Sequence, residues 1–187
     1  MKLTPPREAD WPTVQKWHTD EGLFALVRVD PPRSDMDALT AIIRLDDETP
    51  VGWIDLFNID PTNVKAEMAM AIPDERGRGL AGEAAKKFLA LAFEVWGFNR
   101  ITCRIRASNK YAIKCAELFG FVQEGTERQA ICQDRKLEDV VVFAMLRDDF
   151  RKKVMGHDSS DTTVHSGSFD AGTTGADSEQ PSAATNA

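Results

Sequence analysis

The chain has 187 residues, 42% hydrophobic and 28% charged, with a formal net charge of −7. That is the length and make-up of one globular domain. It excludes a membrane-spanning helix, since no apolar run nears the roughly 20 residues needed, and the start, MKLTPPREADW, has no apolar stretch of the kind a secretory signal requires.

The charge is unevenly distributed. Five of the 30 acidic residues lie in 156–187, where there is no Lys or Arg; the remainder holds 25 acids against 23 bases, or −2. Nothing in that near-neutral body suggests nucleic acid as a bulk electrostatic partner. Cys103, Cys115 and Cys132 are odd in number and share no C-x-x-C spacing. They fit small apolar roles in a reducing cytoplasm better than a disulfide frame or a zinc site, and no metal is expected.

Residues 1–5 read as a short edge strand ended by Pro5 and Pro6. Asp10 suits an N-cap before a helix with Pro12 in its first turn and Trp11, Val14 and Trp17 on its buried side. A second short helix is expected over 22–28, then a loop at Pro31-Pro32. Leu39 to Leu45 and Val51 to Ile59 read as strands, the second with Val51, Trp53 and Phe57 on one face. Short polar turns join them to a third strand over 64–72, which implies an antiparallel meander.

Residues 64–97, VKAEMAMAIPDERGRGLAGEAAKKFLALAFEVWG, are the centre of the chain. Val64, Met68, Met70 and Ile72 alternate as in a half-buried strand. Three glycines follow within Arg76-Gly77-Arg78-Gly79-Leu80-Ala81-Gly82, and then a helix to residue 96 with Ala81, Ala84, Ala85, Phe88, Leu91, Ala92 and Val95 on one face. Gly97 suits a left-handed C-terminal cap. Glycines let a backbone approach a ligand closely, and the first N–H groups of a helix, with its dipole, attract anions. With Arg76 and Arg78 beside them, a phosphate or pyrophosphate is the natural guest.

Three readings of this loop are open: a plain turn and cap, a dinucleotide fingerprint, and a coenzyme A pyrophosphate loop. Gly77 to Gly82 match G-x-G-x-x-G literally. However, residues 100–109 contain no acid, and Pro73 to Arg76 intervene between strand and turn.

Further on, Ile101, Cys103, Ile105 and Ala107 alternate with Thr102, Arg104 and Arg106, completing a βαβ unit. Ser108 or Asn109 caps a helix that ends near Phe119, with Gly120 just beyond. Phe121 to Arg128 and Leu137 to Leu146 read as a last hairpin, joined by a loop over 129–136 long enough to reach an acceptor site. Past Met155 the chain is Ser, Thr, Gly, Ala and Asp with little to bury. The expected organisation is a domain over 1–155 and a disordered acidic tail over 156–187, in which His157 and His165 are not ligands.

Arg76, Gly79 and Ala81 fit [QR]-x-x-G-x-[GA], and Asn109 through Gly120-Phe121 fits N-x-x-[AS]-x-x-x-x-x-x-x-G-F. On both motifs and their spacing the chain resembles the GNAT superfamily of N-acetyltransferases. Within it, the branch acting on ribosomal-protein N-termini is nearest in pattern. The resemblance implies an α/β (α+β) GNAT fold with a mixed sheet of six to seven strands: an antiparallel N-terminal meander, the central βαβ unit and a C-terminal hairpin.

The same resemblance implies acetyl-CoA as cosubstrate. Arg76, Gly77, Arg78, Gly79, Leu80, Ala81 and Gly82 would hold its pyrophosphate, Met70, Ala71 and Ile72 would pair with its pantetheine arm, and Asn109 would bond that arm. N–H groups around Met70 and Ala71, splayed by a bulge, would stabilise the oxyanion. Glu67 would be the general base acting through a water, the other reading being a plain strand residue. The tyrosine and serine hydroxyls that family members use as acids are replaced by Ala116 and Ala112, and Tyr111 should point away from Ala112. The acceptor would be an amine: a peptide N-terminus, or a small polyamine or aminoglycoside met by Asp20, Glu21 and Asp55. The protein would be a monomer or homodimer. An acyl-CoA-binding module without turnover is the alternative.

Overall fold

The computed structural model describes residues 1–19, 38–73, 79–133, 135–154 and 156. The expected helix over 22–28, the Pro31-Pro32 loop, Asp20, Glu21, Arg76, Gly77, Arg78 and the tail 157–187 lie outside the described residues.

One seven-stranded sheet carries the architecture, in the order β1-β2-β3-β4-β5-β7-β6. Its strands are β1 (Lys2–Thr4), β2 (Leu39–Arg44), β3 (Pro50–Asp60), β4 (Lys65–Ala71), β5 (Arg100–Arg106), β6 (Val122–Gln133) and β7 (Lys136–Leu146). Every neighbouring pair is antiparallel except β4 and β5, the two strands of the βαβ unit. The helices are α1 (Trp11–Thr19), α2 (Leu80–Ala90), α3 (Lys110–Phe119) and α4 (Arg147–Val154). The mixed sheet, the meander and the terminal hairpin are those the sequence implied.

The sheet is buried on two sides. Ile54, Leu56, Met68, Ile101 and Phe143 join Ala84, Phe88, Ala92 and Phe93 of the helical layer in the main core. On the opposite face Ile42, Trp53 and Ala71 pack against Val14 and Trp17 of α1, with the rings of Trp17 and Trp53 stacked at 5.6 Å. Each large side chain buried this way stabilises the fold by about 1.5–3 kcal/mol.

Several local expectations are corrected. Val51 does not share a face with Trp53. The β2–β3 register runs Ile43↔Gly52 and then Arg44↔Pro50, so Val51 is an extra residue and turns into the main core. Trp11 is exposed, leaving Val14 and Trp17 to hold α1 down. Asp10 is no free-standing cap: its carboxylate accepts the Arg7 N–H at 2.7 Å and forms a buried ion pair with Arg44.

The central helix changes character after Ala90. Leu91–Val95 form one π-helical turn, with the Trp96 N–H bonded to the Leu91 carbonyl at 2.9 Å. Wider winding delays the helical phase of the residues in and after that turn. Leu89 and Phe93 are buried, whereas Leu91 and Val95, expected on the buried face, are exposed. Gly97 then takes the left-handed conformation at φ 77°, as a cap there requires.

The loop expected over 129–136 does not form. Ile131↔Glu138, Cys132↔Leu137 and Gln133↔Lys136 continue the pairing, so β6 and β7 run on as a two-stranded ribbon to a tight turn. Cys132 stands exposed on it, against its expected role as a packed apolar residue. Helix α4 has no counterpart among the sequence expectations. Phe150 buries it against Phe93 at 5.3 Å between ring centroids, and Arg147 donates to the carbonyls of Gly97 and Phe98.

Candidate active site

β4 and β5 pair at three positions only: Lys65↔Arg100, Ala66↔Ile101 and Glu67↔Thr102. Beyond Glu67, β4 stays in register with β3 as far as Trp53↔Ala71, while beyond Thr102, β5 follows β7 as far as Arg106↔Val140. Each strand is held on its outer side and released on its inner side, so the two part. The parted edges carry backbone N–H and C=O groups with no ladder partner between them, the condition under which an extended ligand adds on.

The cause is not the bulge expected at Met70 and Ala71, where the β3–β4 register is regular. The extra residue lies in β3, between Phe57↔Glu67 and Asp60↔Lys65, and Asn58 there has φ 48°. Gly52 matters at the far end. A Cβ on it would fall 2.2 Å from the Ala71 carbonyl oxygen, so only glycine lets β3 sit against the last residue of β4.

The gap opens into a cavity of about 710 Å³. Its walls are Met68 to Ile72 of β4, Gly79 to Gly82 at the start of α2, Cys103 to Ile105 of β5, and α3 with Asn109 ahead of it. Gly79 has φ 76° and supplies no side-chain cap; the N–H groups of Gly82 and Glu83 turn back to its carbonyl at 3.1 and 3.4 Å. The positive end of the α2 dipole therefore faces the cavity without a protein carboxylate or hydroxyl capping it. Asn109 caps α3, its Oδ1 accepting the Ala112 N–H at 3.1 Å, and Gly120 closes that helix at φ 102°.

The structure thus gathers Met70, Ala71, Ile72, Gly79, Leu80, Ala81, Gly82 and Asn109 around one space. Glu67 is not on the cavity wall. It is half-buried at the last paired position, on the sheet face opposite Met68. Its carboxylate is felt within the site nonetheless: burial first, and the charge of Glu67 second, push the Cys103 thiol above its ordinary range. Cys103 is accordingly a neutral thiol.

Tyr111, expected to point away, lines the cavity together with Ala112 and Ala116. Asp55, expected at an acceptor entrance, is 2% exposed and accepts the Thr40 hydroxyl at 2.8 Å. Arg104, Cys115, Phe119 and Phe121 also line the site and were not foreseen. The Phe-Gly-Phe run was a signal for the last two; nothing in the sequence marked Arg104. Arg104 is tied to Glu127 on β6, its Nε donating at 3.2 Å, while Arg100 pairs with Glu124 and Arg106 with Glu138. Among the described residues, no group of three or more His, Cys, Asp or Glu is placed to hold a metal ion.

The model of the family described as "Acetyltransferase (GNAT) domain" matches residues 1–122. Over 97 residues the chain is 31% identical to "Putative ribosomal N-acetyltransferase YdaF" of Bacillus subtilis (strain 168), covering 51% of this chain and 53% of that protein. Over 110 residues it is 28% identical to an uncharacterized N-acetyltransferase, p20, of Bacillus licheniformis, covering 58% of this chain and 61% of the relative. The chain therefore spans between half and two thirds of the length of these relatives. A spermidine N-acetyltransferase from Vibrio cholerae, solved in complex with CoA and spermine, superimposes with a TM-score of 0.73 at 18% identity, covering 80% of this chain and 96% of that one. At that identity the superposition speaks for the fold alone.

Proposed function

The chain belongs to the GNAT acetyltransferase family, and on that footing we propose that it is an acetyl-CoA-dependent N-acetyltransferase acting on a primary amine by direct attack. One observation carries the reading: β4 and β5 part immediately after Glu67↔Thr102, and the parting leads to the uncapped amino end of α2.

In this reading the N–H groups of Gly79 to Gly82 hold the diphosphate of acetyl-CoA, with Arg76, Gly77 and Arg78 continuing the cradle. Met70, Ala71 and Ile72 bond its pantetheine arm as an added strand would, and Asn109 bonds the same arm while capping α3. Acetyl-CoA brings an activated acyl group as a thioester. Glu67, through a water, takes the proton that makes the amine neutral; the amine nitrogen forms a bond to the acyl carbon as the carbon–sulfur bond breaks. Backbone donors at the β4 edge stabilise the developing oxyanion, which demands no particular side chain. Ala112 and Ala116 offer no acid. A thiol with a pKa of about 8.5 leaves as thiolate near neutral pH without one.

The acceptor is a primary amine, and we favour a peptide N-terminal α-amine. An α-amine with a pKa near 7.8 is neutral about a quarter of the time at pH 7.4, a lysine-like amine about once in a thousand. A site with few acid–base groups suits the former. The relative named for ribosomal N-acetylation favours the same class; the spermine complex of the structural neighbour keeps polyamines as the second reading.

We predict that Gly79→Glu abolishes CoA binding by calorimetry. Gly79→Ala, which incurs the same left-handed strain of about 1–2 kcal/mol without the charge and meets no atom within 4 Å, should retain most of it. Equal losses in the two variants would sink the anion-cradle assignment. Thiol release from acetyl-CoA with a panel of amines separates an enzyme from a binding module.

A further inference from the structure

The parted strands make a hole through the sheet, and the residues on its far side have not been assigned a part. Alternation along the strands places Glu67 and Ala69 of β4 on the face opposite the main core. Thr102 and Arg104 of β5 lie on that same face, since Ala66, Ile101 and Cys103 all point into the main core. Glu67 and Arg104 therefore flank the hole, one on each strand. Ala69 and Thr102 beside them are small. The Arg104 guanidinium is oriented by Glu127, and its side chain is 20% exposed against 44% for the Glu127 side chain. The positive end of the pair thus lies toward the hole and the negative end toward solvent.

We infer that Arg104 is a specificity-determining residue that reads the carbonyl oxygen next to the acceptor amine, and so selects α-amino carbonyl compounds, peptide N-termini above all, over polyamines. This rests on the acetyltransferase reading above. An acceptor whose nitrogen lies beside Glu67 must place its next atoms toward Arg104. In a peptide these are an α-carbon and a carbonyl oxygen, an acceptor for a guanidinium N–H. In a polyamine they are methylenes followed by a second ammonium, which the guanidinium repels in a partly desolvated site. Glu127 orients Arg104 and is a positioning residue.

The test measures kcat/KM of the full chain for a short alanyl peptide, for the same peptide with its first carbonyl reduced to methylene, and for spermidine. Wild-type protein should prefer the intact peptide over both others. Arg104→Met should shift the peptide-to-spermidine ratio at least tenfold toward spermidine, mostly through KM for the peptide. Arg104→Lys should recover part of it, and CoA affinity should stay within twofold in both. A merely structural role would lower all three substrates together. Glu127→Gln, which keeps the cation and loosens it, should give a smaller shift in the same direction and serves if Arg104→Met does not fold. An unchanged ratio in Arg104→Met, an equal loss on every acceptor, or a wild-type preference for spermidine overturns the inference while leaving the acetyltransferase reading intact. Absence of CoA binding in the wild type overturns both.

Discussion

At the scale of single residues, the site depends on groups that do no chemistry. Gly52 is one. With the Ala71 carbonyl oxygen 2.2 Å from where its Cβ would stand, Gly52→Ala must push β3 from β4 at the edge of the gap. We predict a loss of about 1–3 kcal/mol in a denaturant melt together with weaker CoA binding; a stable variant with unchanged affinity would show that the β4 edge tolerates displacement.

The buried pair of Asp10 and Arg44 is another. The Arg44 hydrogen bond, opposed by burial and aided by the Arg7 N–H, holds the Asp10 carboxyl below its ordinary range. A depressed folded-state value means that the pair's contribution is complete above the unfolded value, near 3.8, and is lost as pH falls through the folded value. Stability should therefore decline below about pH 4 in part through this group. Arg44→Met, which strands the carboxylate in the interior, should cost about 3–5 kcal/mol at pH 7 and flatten that acid limb. Chemical denaturation at pH 7 and over the acid range measures both.

At the scale of elements, the turn over Leu91–Val95 decides which side of the central helix faces the sheet. An uninterrupted α-helix would carry Leu91 and Val95 inward with Phe88 and Ala92. The π turn sends them out and brings Phe93 in, where it meets Phe150 of α4. We predict that Phe93→Ala costs about 3–5 kcal/mol and Val95→Ala less than about 0.5 kcal/mol. A reversed order in thermal or denaturant melts would restore the regular helical phase. α4 owes its place to the same rephasing, since its Arg151 bonds Glu94 in that turn at 2.9 and 2.8 Å.

At the scale of the whole molecule, one parallel junction in an otherwise antiparallel sheet creates the site. Antiparallel partners on the outer sides of β4 and β5 hold each strand to its end, and the junction between them is only three pairs long. The tail from 157 on has a composition with little to bury. We predict that deleting 157–187 leaves the melting temperature and CoA affinity within experimental scatter, whereas ending the chain at Leu146 removes Phe150 and Arg147 and lowers the melting temperature by several degrees.

The order of amino acids was enough for features that depend on neighbours a few residues apart. Alternation marked β4 and β5, the glycines and the amphipathic run marked the start of α2, Asn109 and Gly120 marked both ends of α3, and two motifs together pointed to the family. The folded chain was needed for features that depend on groups distant in sequence. Gly52 is required because of Ala71, Val51 turns inward because its partner strand skips a residue, and the helix is rephased where Phe150 waits. Arg104 gained a place in the site because Glu127, 23 residues on, crosses β7 to hold it. Periodicity and capping are short-range properties of the backbone, written in local order; a gap between two strands is a property of the partners that hold each of them from the other side.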